Sequence, residues 1–362
     1  MKWPAHGGQP HLIKQMFNNV AQGEILDLSA NLNPLGPPEW LREELLSFFD
    51  SCQVYPDPTY LRPRQAIADH ESLDVEQVLL TNGGAEAIFL VAKYLEQKKA
   101  LIIQPTFSEY EQACRHYHLG VEYLTLDAND DFCLPVEQIR LRMPQIDALF
   151  LCRPNNPTGT VIPEEEMSLI LEEALSNQVI VIVDEAFADF FPPNIRPLTS
   201  WIQRFPNLIL LRSLTKLYTI PGMRVGYLLG KREIVKQISK YQMPWSVNAF
   251  AAGIIPRLLE DKEFVHATVT WLQTEWSFLK DQYDQLAFYY SPTCVNFYLL
   301  RDQLYPDKTQ ELYLYLLQEG VLARHTTTFY SLEGDYLRLA VRSRAENSQL
   351  LVALKKWREI QC

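Results

Sequence analysis

The stretch "LILLRSLTKLYTIPGMRVGY", residues 208–227, joins a compact apolar run to a serine, a lysine and an arginine. The run Leu208–Leu211 is typical of a strand that is buried on both faces of a mainly parallel sheet. Ser213 and Lys216 follow this strand, and Arg224 lies eight residues beyond the lysine. A lysine at a solvated loop tip needs no such neighbours, so we consider Lys216 a candidate functional residue.

Similar apolar runs alternate with helical patterns through the middle of the chain. Three further runs with the character of buried strands are Ala100–Ile103, Asp147–Cys152 and Val179–Val183. Between them lie amphipathic stretches, such as the one from Pro163, which opens with proline and acids as a helix start does. This alternation predicts an α/β fold in which helices cover both faces of one mainly parallel sheet.

The pattern changes after about Gln242, where long amphipathic stretches and separate strands replace the regular alternation. We therefore predict three regions along the chain. Residues 1–45 form an irregular N-terminal arm that packs with the small domain, 46–250 form the large domain, and 251–362 form a smaller α+β domain.

Composition and charge limit the classes of function. The chain has 362 residues, of which 47% are hydrophobic and 21% charged, so it can bury a sizeable core. Its net charge of -11 argues against nucleic acid or an anionic membrane as the main partner. No apolar run approaches the roughly 20 residues that span a bilayer, and the N-terminus lacks a signal-peptide core. A cytoplasmic globular protein is expected.

The cysteines do not form a recognisable disulfide or metal framework. Six are scattered without a CxxC pair: Cys52, Cys114, Cys133, Cys152, Cys294 and Cys362. In a chain of this kind they are expected to be reduced packing residues. Cys114, His116 and His118 lie close together, but no second ligand pair follows, so a polar helix end is favoured and no metal is expected.

Polar residues follow three of the predicted strands. Asp184 follows Val179–Val183, Asn156 lies in the turn "RPNNPTG", and Ser213 and Lys216 follow the strand quoted first. Each has an ordinary explanation by itself, as a helix cap, a turn former or a solvated tip. Ligands of open α/β sheets bind outside the carboxyl ends of the strands, so together these residues predict one site.

A phosphate site completes the set. Gly83, Gly84 and Ala85 would open a helix whose free N–H groups point at an anion, and the stretch matches neither common nucleotide-binding loop. Ser213 and Arg224 would add donors to the same phosphate. A lysine that condenses with an aldehyde, an acid that faces a ring nitrogen and a phosphate cup are the requirements of pyridoxal 5'-phosphate (PLP). Lys216 and Asp184 would be the catalytic residues, and Phe107 would stack on the ring.

The motifs "SLTKLYTIPGMRVGY", "NNPTG" and "VDEAF" resemble, in order and spacing, those of fold type I PLP-dependent enzymes of the aspartate aminotransferase group. The resemblance extends over nearly the whole chain and implies that fold and cofactor. Within the group the chain is similar to histidinol-phosphate aminotransferases. It is more similar to L-threonine-O-3-phosphate decarboxylases of cobalamin biosynthesis, through "AHGG", "LDLSANLNPLGPP", "LRSLTKLYTIPG" and "QMPWSVNAFA".

One position departs from the aminotransferase pattern. Three residues after the aspartate, transaminases usually carry a tyrosine that hydrogen-bonds the phenolic oxygen of the cofactor, and here the residue is Phe187. The resemblance therefore leaves Asn156 as the expected partner of that oxygen. The decarboxylase subfamily also tends to have phenylalanine there, so the departure favours the decarboxylase.

The same resemblance implies residues that bind substrate and a partner subunit. Asn156 belongs to both the cofactor and the substrate set; His6, Gly7 and Asn31 match arm positions that contact phosphothreonine, and Arg324 and Arg338 match two arginines that bind its anionic groups. On the residues alone, a buried Arg338 on the strand "DYLRLAVR" would be costly without an anionic ligand. Tyr55 matches a tyrosine that reaches the cofactor phosphate of the neighbouring subunit, which implies a homodimer.

Three functions remain open. The first is decarboxylation of L-threonine O-3-phosphate to (R)-1-aminopropan-2-yl phosphate, and the second is transamination of histidinol phosphate or another amino acid. The third is a regulator that keeps an aminotransferase-like body without turnover. Regulators of that kind carry an added N-terminal DNA-binding region, whereas here the body begins almost at Met1 and the chain is acidic, so the third is disfavoured.

Overall fold

The computed structural model describes residues 3–17 and 24–361. Its strands are β1 (Leu26–Asp27), β2 (Val78–Thr81), β3 (Lys99–Gln104), β4 (Gly120–Thr125), β5 (Ala148–Cys152), β6 (Ile180–Asp184), β7 (Leu208–Ser213), β8 (Gly226–Gly230), β9 (Phe288–Tyr290), β10 (Phe297–Asp302), β11 (Val321–Leu322), β12 (Arg324–His325) and β13 (Leu337–Ala340). Its α-helices are α1 (Pro10–Met16), α2 (Leu41–Ser47), α3 (Leu61–Glu71), α4 (Gly83–Tyr94), α5 (Glu109–His116), α6 (Val136–Arg142), α7 (Glu164–Ser176), α8 (Arg232–Ser239), α9 (Ala249–Glu260), α10 (Lys262–Gln285), α11 (Thr309–Gln318) and α12 (Arg344–Gln361).

A seven-stranded sheet forms the centre of the molecule, with strand order β2-β8-β7-β6-β5-β3-β4. All neighbouring strands are parallel except β8, which runs antiparallel to both β2 and β7. The mainly parallel sheet predicted from the apolar runs is confirmed. Because β5, β6 and β7 are adjacent and parallel, their carboxyl ends lie together at one edge of the sheet.

Helices cover both faces of this sheet, as predicted. Successive side chains of a strand point to opposite faces. Ile182 and Ile209 therefore pack in one apolar cluster with α4, α5 and α8, whereas Val183 and Leu210 pack in another with α3, α6 and α7. Two-sided burial explains why these strands are apolar at every position rather than at every second one.

A smaller antiparallel sheet, in the order β12-β13-β10-β9, accounts for the change of pattern late in the sequence. Leu279 of α10 and Leu354 of α12 belong to the same apolar core as Phe297 and Leu299 of β10. The N-terminal arm pairs through β1 with β11, close to this sheet. The prediction that the arm is irregular is wrong in part, because it contains α1 and β1.

The cysteines are free, but not all of them pack in the interior. Cys114 and Cys152 are buried as predicted, whereas Cys52 and Cys133 are exposed, which corrects the packing prediction for these two. Cys362 lies outside the described residues. Within residues 3–17 and 24–361, no group of metal-ligating side chains comes together and no helix is long and apolar enough to cross a membrane.

Candidate active site

A cavity of about 520 Å³ lies at the carboxyl edge of the central sheet. One part of its wall, here called the sheet side, comes from the sheet and the segments that follow its strands: Gly84, Ala85, Asp184, Ser213, Lys216 and Arg224. The facing part, here called the arm side, comes from the N-terminal arm and the small sheet: His6, Gly7, Asn31, Arg324 and Arg338. Phe107, Asn156 and Phe187 also line the cavity, so the structure brings together nearly all the residues that the sequence singled out.

Asp184 is the last residue of β6 and its carboxylate is buried. Oδ2 accepts a hydrogen bond from the Tyr110 hydroxyl at 2.7 Å, and Oδ1 accepts one from the Ala186 N–H at 2.9 Å. Burial raises the pKa of the Asp184 carboxyl, and these two hydrogen bonds oppose the rise. Neither partner carries a charge, so a cationic ring nitrogen would supply the compensation that this carboxylate lacks.

Lys216 follows the end of β7 and is partly buried, with Nζ 6.0 Å from the ring centroid of Phe187. Burial, reinforced by the positive charges of Arg338 and Arg224, lowers the pKa of Lys216 to about 8. Among the described residues no carboxylate forms an ion pair with Nζ. A desolvated amine beside other cations has a larger neutral fraction near pH 7, which is the form that attacks an aldehyde.

The first turn of α4 and Arg224 form a cup for an anion. Gly83 begins α4 with φ +74°, and a Cβ there would lie 2.5 Å from a guanidinium nitrogen of Arg224. Glycine therefore lets the arginine approach the free N–H groups of the helix. The Ser213 hydroxyl lies 2.8 Å from that of Thr215, and both residues line the cavity. A helix N-terminus with an arginine and hydroxyl donors is suited to bind a phosphate.

Arg338 is buried and has no carboxylate partner in the part of the chain that the structure describes. Its guanidinium donates to Asn156 Oδ1 at 2.6 Å and to the Ser29 carbonyl at 2.8 Å, while Nε has no partner among the described residues. Burial, with the nearby charge of Arg324, lowers the pKa of Arg338 to about 9. From the sequence, Arg338 is expected to need an anionic ligand if it is buried without a counter-charge. Arg338 is buried in this way among the described residues.

Arg324 is only 3% exposed and, within residues 3–17 and 24–361, also lacks a carboxylate partner. It donates to the carbonyls of Pro4 and Ala5, at 2.9 and 2.7 Å, and to the Thr328 hydroxyl at 2.7 Å. Burial lowers the pKa of Arg324 to about 10. These bonds attach the N-terminal arm to the small sheet. Arg324 is the second buried arginine, beside Arg338, that lines the cavity.

The arm contributes His6, Gly7 and Asn31. His6 Nε2 lies 2.8 Å from Oε1 of Glu109, the first residue of α5. A side chain at Gly7 would collide with the carbonyl oxygen of Ser29, so glycine is required for the arm to lie this close. Asn31 is buried and its Oδ1 has no hydrogen-bond partner among the described residues.

The charges of the cavity favour an anionic occupant. Its lining includes four side chains that are cationic at neutral pH, Lys216, Arg224, Arg324 and Arg338, against the carboxylates Glu109 and Asp184. The excess of positive charge, the unpaired Arg338 Nε and the glycine cup fit a phosphorylated cofactor together with an anionic substrate.

Two predicted residues lie outside the cavity lining. Gly83 acts indirectly, by admitting Arg224, whereas Tyr55 is 82% exposed and packs on Trp245, with ring centroids 5.0 Å apart. Tyr55 therefore has no place in the cavity of its own chain.

Several residues of the cavity lining were missed by the sequence reasoning, among them three polar ones after β3 and β7. Thr215, Glu109 and Tyr110 all lie in segments that follow strands, after β7 and β3. Their position directly after buried strands is the signal that could have identified them, since ligands bind at that edge.

The chain belongs to the aminotransferase class I and II family, which its residues 23–354 match. Proteins of this family that resemble it depend on PLP, and the chain is a PLP-dependent enzyme. It is 34% identical over 353 residues to the threonine-phosphate decarboxylase of Salmonella typhimurium, a match that covers 97% of this chain and 96% of that protein.

Solved structures agree with the fold. The histidinol-phosphate aminotransferase from Clostridium acetobutylicum superimposes with a TM-score of 0.87 at 29% identity, over 92% of this chain and 99% of that one. The L-threonine-O-3-phosphate decarboxylase from Porphyromonas gingivalis gives 0.80 at 26% identity, over 92% and 99%. The fold type I assignment is confirmed, with a mixed central sheet and a separate small antiparallel sheet.

Proposed function

We propose that this protein decarboxylates L-threonine O-3-phosphate to (R)-1-aminopropan-2-yl phosphate, for the aminopropanol part of cobalamin, in the cytoplasm. The observation that carries the proposal is the pair of buried arginines, Arg324 and Arg338, neither of which has a carboxylate partner. The proposed substrate has two anionic groups, a carboxylate and a phosphate, and can satisfy both. The similarity to the threonine-phosphate decarboxylase of Salmonella typhimurium supports the same substrate.

In this proposal the arm side orients the substrate. Arg338 binds the α-carboxylate, and His6, Asn31 and Arg324 bind the phosphate through charge-assisted hydrogen bonds. Two anchors at opposite ends of a small substrate fix its rotation about the bonds to Cα. The rotation decides whether the carboxylate or the hydrogen at Cα stands perpendicular to the cofactor ring.

Bound PLP would accept the electron pair of the bond at Cα that stands perpendicular to its ring. Asp184 would keep the ring nitrogen protonated, with Gly84, Ala85, Ser213 and Arg224 at the cofactor phosphate. Lys216 Nζ, whose pKa of about 8 allows it to hold or release a proton near neutrality, would protonate Cα after carbon dioxide leaves. The proton replaces the lost carboxylate, so charge and atoms balance.

The test is a product assay with L-threonine O-3-phosphate and the PLP-loaded protein. Release of carbon dioxide with an aminopropanol phosphate, and cofactor that stays in the aldehyde form, would support the proposal. Formation of a keto acid with pyridoxamine phosphate, and no carbon dioxide, would assign the protein to the transaminases.

The alternative function is transamination of histidinol phosphate or another amino acid, which the similarity to the Clostridium acetobutylicum enzyme favours. Histidinol phosphate carries a phosphate but no carboxylate, so one of the two buried arginines would keep no counter-charge. Phe187 also lines the cavity where transaminases usually place a tyrosine. These two observations favour the decarboxylase.

We further propose that the active unit is a homodimer in which Tyr55 reaches the cofactor phosphate of the partner subunit. Tyr55, Trp245 and Met243 are large apolar residues that are exposed on the surface, and such patches are typical of interfaces. The segment of Trp245 also adjoins the phosphate cup, because Asn248 donates to the carbonyl of Met223, next to Arg224.

The dimer can be tested by mixing a Tyr55→Ala variant with a Lys216→Ala variant. Each mixed dimer would contain one intact site, and random exchange would restore up to about a quarter of the wild-type activity. A fully active monomer in sedimentation, or no complementation after proven exchange, would contradict the proposal.

A further inference from the structure

Glu109 has a position that its helix alone does not explain. It is the first residue of α5, where acids are common because they complement the helix dipole. Such acids are usually solvated, whereas Glu109 is only 9% exposed and lines the cavity. A carboxylate in a cavity that must receive anions opposes their binding unless it acts through a neighbouring cation.

That neighbour is His6, from the N-terminal arm. The distance between His6 Nε2 and Glu109 Oε1 is 2.8 Å. The backbone on both sides of His6 is fixed independently: Arg324 donates to the Ala5 carbonyl, and the Gly8 N–H donates to the Ser29 hydroxyl at 2.8 Å. The arm therefore does not need the His6–Glu109 contact in order to lie over the site, and the contact instead orients the imidazole.

The contact uses one ring nitrogen of His6 and determines what the other can do. A neutral imidazole that donates from Nε2 has a lone pair on Nδ1, which repels an anion. The imidazolium carries a proton on Nδ1 as well and donates it with a full positive charge. A carboxylate that accepts from one ring nitrogen fixes the orientation of the ring, as carboxylates do for histidines whose second nitrogen serves a ligand.

Arg324, another donor proposed for the phosphate, already makes several hydrogen bonds. Arg324 donates to Pro4, Ala5 and Thr328. A substrate phosphate bound beside Arg324 has more acceptor positions than this arginine can satisfy, so a second cationic donor would strengthen its binding.

We propose that Glu109 is a positioning residue that accepts a hydrogen bond from His6 Nε2 and so turns Nδ1 of the ring toward the phosphate of the substrate, to which Nδ1–H donates in the complex, and that this contact selects phosphorylated over unphosphorylated amino acids. The inference rests on the proposed function for the identity of the substrate, but it concerns binding and not the bond that breaks.

The test uses the PLP-loaded protein and measures how L-threonine O-3-phosphate and L-threonine change the cofactor absorbance, which gives an apparent dissociation constant for each. Glu109→Gln keeps the shape of the side chain and removes its charge. We expect this variant to bind phosphothreonine about 10-fold more weakly, which corresponds to the free energy of one charge-assisted hydrogen bond. Its dissociation constant for L-threonine should stay within about 2-fold of the wild-type value. Glu109→Asp should recover part of the loss.

Two further variants separate positioning from a structural role. His6→Gln should lose as much phosphothreonine affinity as Glu109→Gln, and the double variant should lose no more than either one. Glu111→Gln makes the same charge change on the same helix, at a residue that pairs with Arg115 and does not line the cavity, and should bind both amino acids as the wild type does.

Three results would overturn the inference: equal weakening of both amino acids by Glu109→Gln, an additive loss in the double variant, or tighter binding of phosphothreonine by Glu109→Gln. The last would mean that the carboxylate repels the phosphate directly. A wild type that prefers phosphothreonine, loses this preference in Glu109→Gln, and yields a keto acid would contradict the proposed function and support the role of Glu109.

Discussion

The sheet side and the arm side of the cavity are built in opposite ways. Residues of the sheet side lie at or after the ends of β2, β6 and β7, or just before β8, so the hydrogen bonds that join these four adjacent strands fix their relative positions. Residues of the arm side come from the two ends of the chain and meet through tertiary contacts, such as the bonds from Arg324 to the carbonyls of Pro4 and Ala5 and the pairing of β1 with β11. In our proposal the sheet side carries the cofactor chemistry, and the arm side recognises the substrate.

The two sides are nevertheless coupled through charge. Arg338 on the arm side is the largest cause, after burial, of the lowered pKa of Lys216 on the sheet side. A substrate carboxylate that neutralises Arg338 would therefore raise the pKa of Lys216. Binding on one side thus changes the proton affinity of the residue that acts on the other.

The largest effect is expected from the sheet side, in Lys216→Ala. Removal of the amine that condenses with the cofactor and returns a proton to Cα should lower kcat by about 10⁴-fold. Borohydride reduction of the wild type should attach the cofactor to a single peptide that contains Lys216.

Lys236→Ala is a suitable control for this experiment, because Lys236 is exposed and lies outside the cavity lining. It should keep wild-type kcat. Recovery of the reduced adduct on any lysine other than Lys216 would refute the assignment.

The second effect, also on the sheet side, concerns Asp184→Asn. The amide keeps the hydrogen-bonding shape but cannot balance a protonated ring nitrogen, so kcat should fall by about 10²- to 10³-fold while the fold is retained. Steady-state kinetics measure kcat, and circular dichroism checks that the fold is retained. Near-normal turnover in a correctly folded variant would rule out this role.

These two sides also differ in how far sequence alone could predict them. Lys216, Asp184 and Ser213 follow apolar runs whose character fixes them as buried strands, so their meeting at one edge could be argued from the residues. His6 and Arg324 lie more than 300 positions apart, and only the resemblance to a family linked them. Glu109 was missed because an acid at a helix start is ordinary and its burial depends on tertiary packing.

The third effect tests the arm side through Arg338→Met. KM should rise by about 10²-fold, since truncation of a buried charge that binds an anion costs about 2–5 kcal/mol. The ligand-free variant should unfold with the same free energy or about 1 kcal/mol more, because a buried charge without a counter-charge is replaced by an apolar side chain. Enzyme kinetics and urea denaturation measure the two quantities.

Arg342→Met provides the comparison for Arg338, because Arg342 pairs with Glu346 at 2.8 Å and does not line the cavity. Its KM should not change, and its stability should fall by at most about 1 kcal/mol. A loss of stability in Arg338→Met larger than that of Arg342→Met would show that Arg338 is mainly structural.

The smallest expected effect is a change in the pH dependence of PLP uptake. It tests whether the arm side influences Lys216 on the sheet side. In our proposal the neutral form of Lys216 captures the aldehyde, and the pKa of Lys216, about 8, lies below the 10.5 of an ordinary lysine. The rate at which the PLP-free protein takes up PLP should therefore rise with pH and level off above about 8. In Arg338→Met a positive charge that lowers the pKa of Lys216 is gone, so the same curve should move to higher pH. Absorbance changes after mixing with PLP follow the rate, and identical midpoints in the two proteins would mean that the arm side does not influence Lys216.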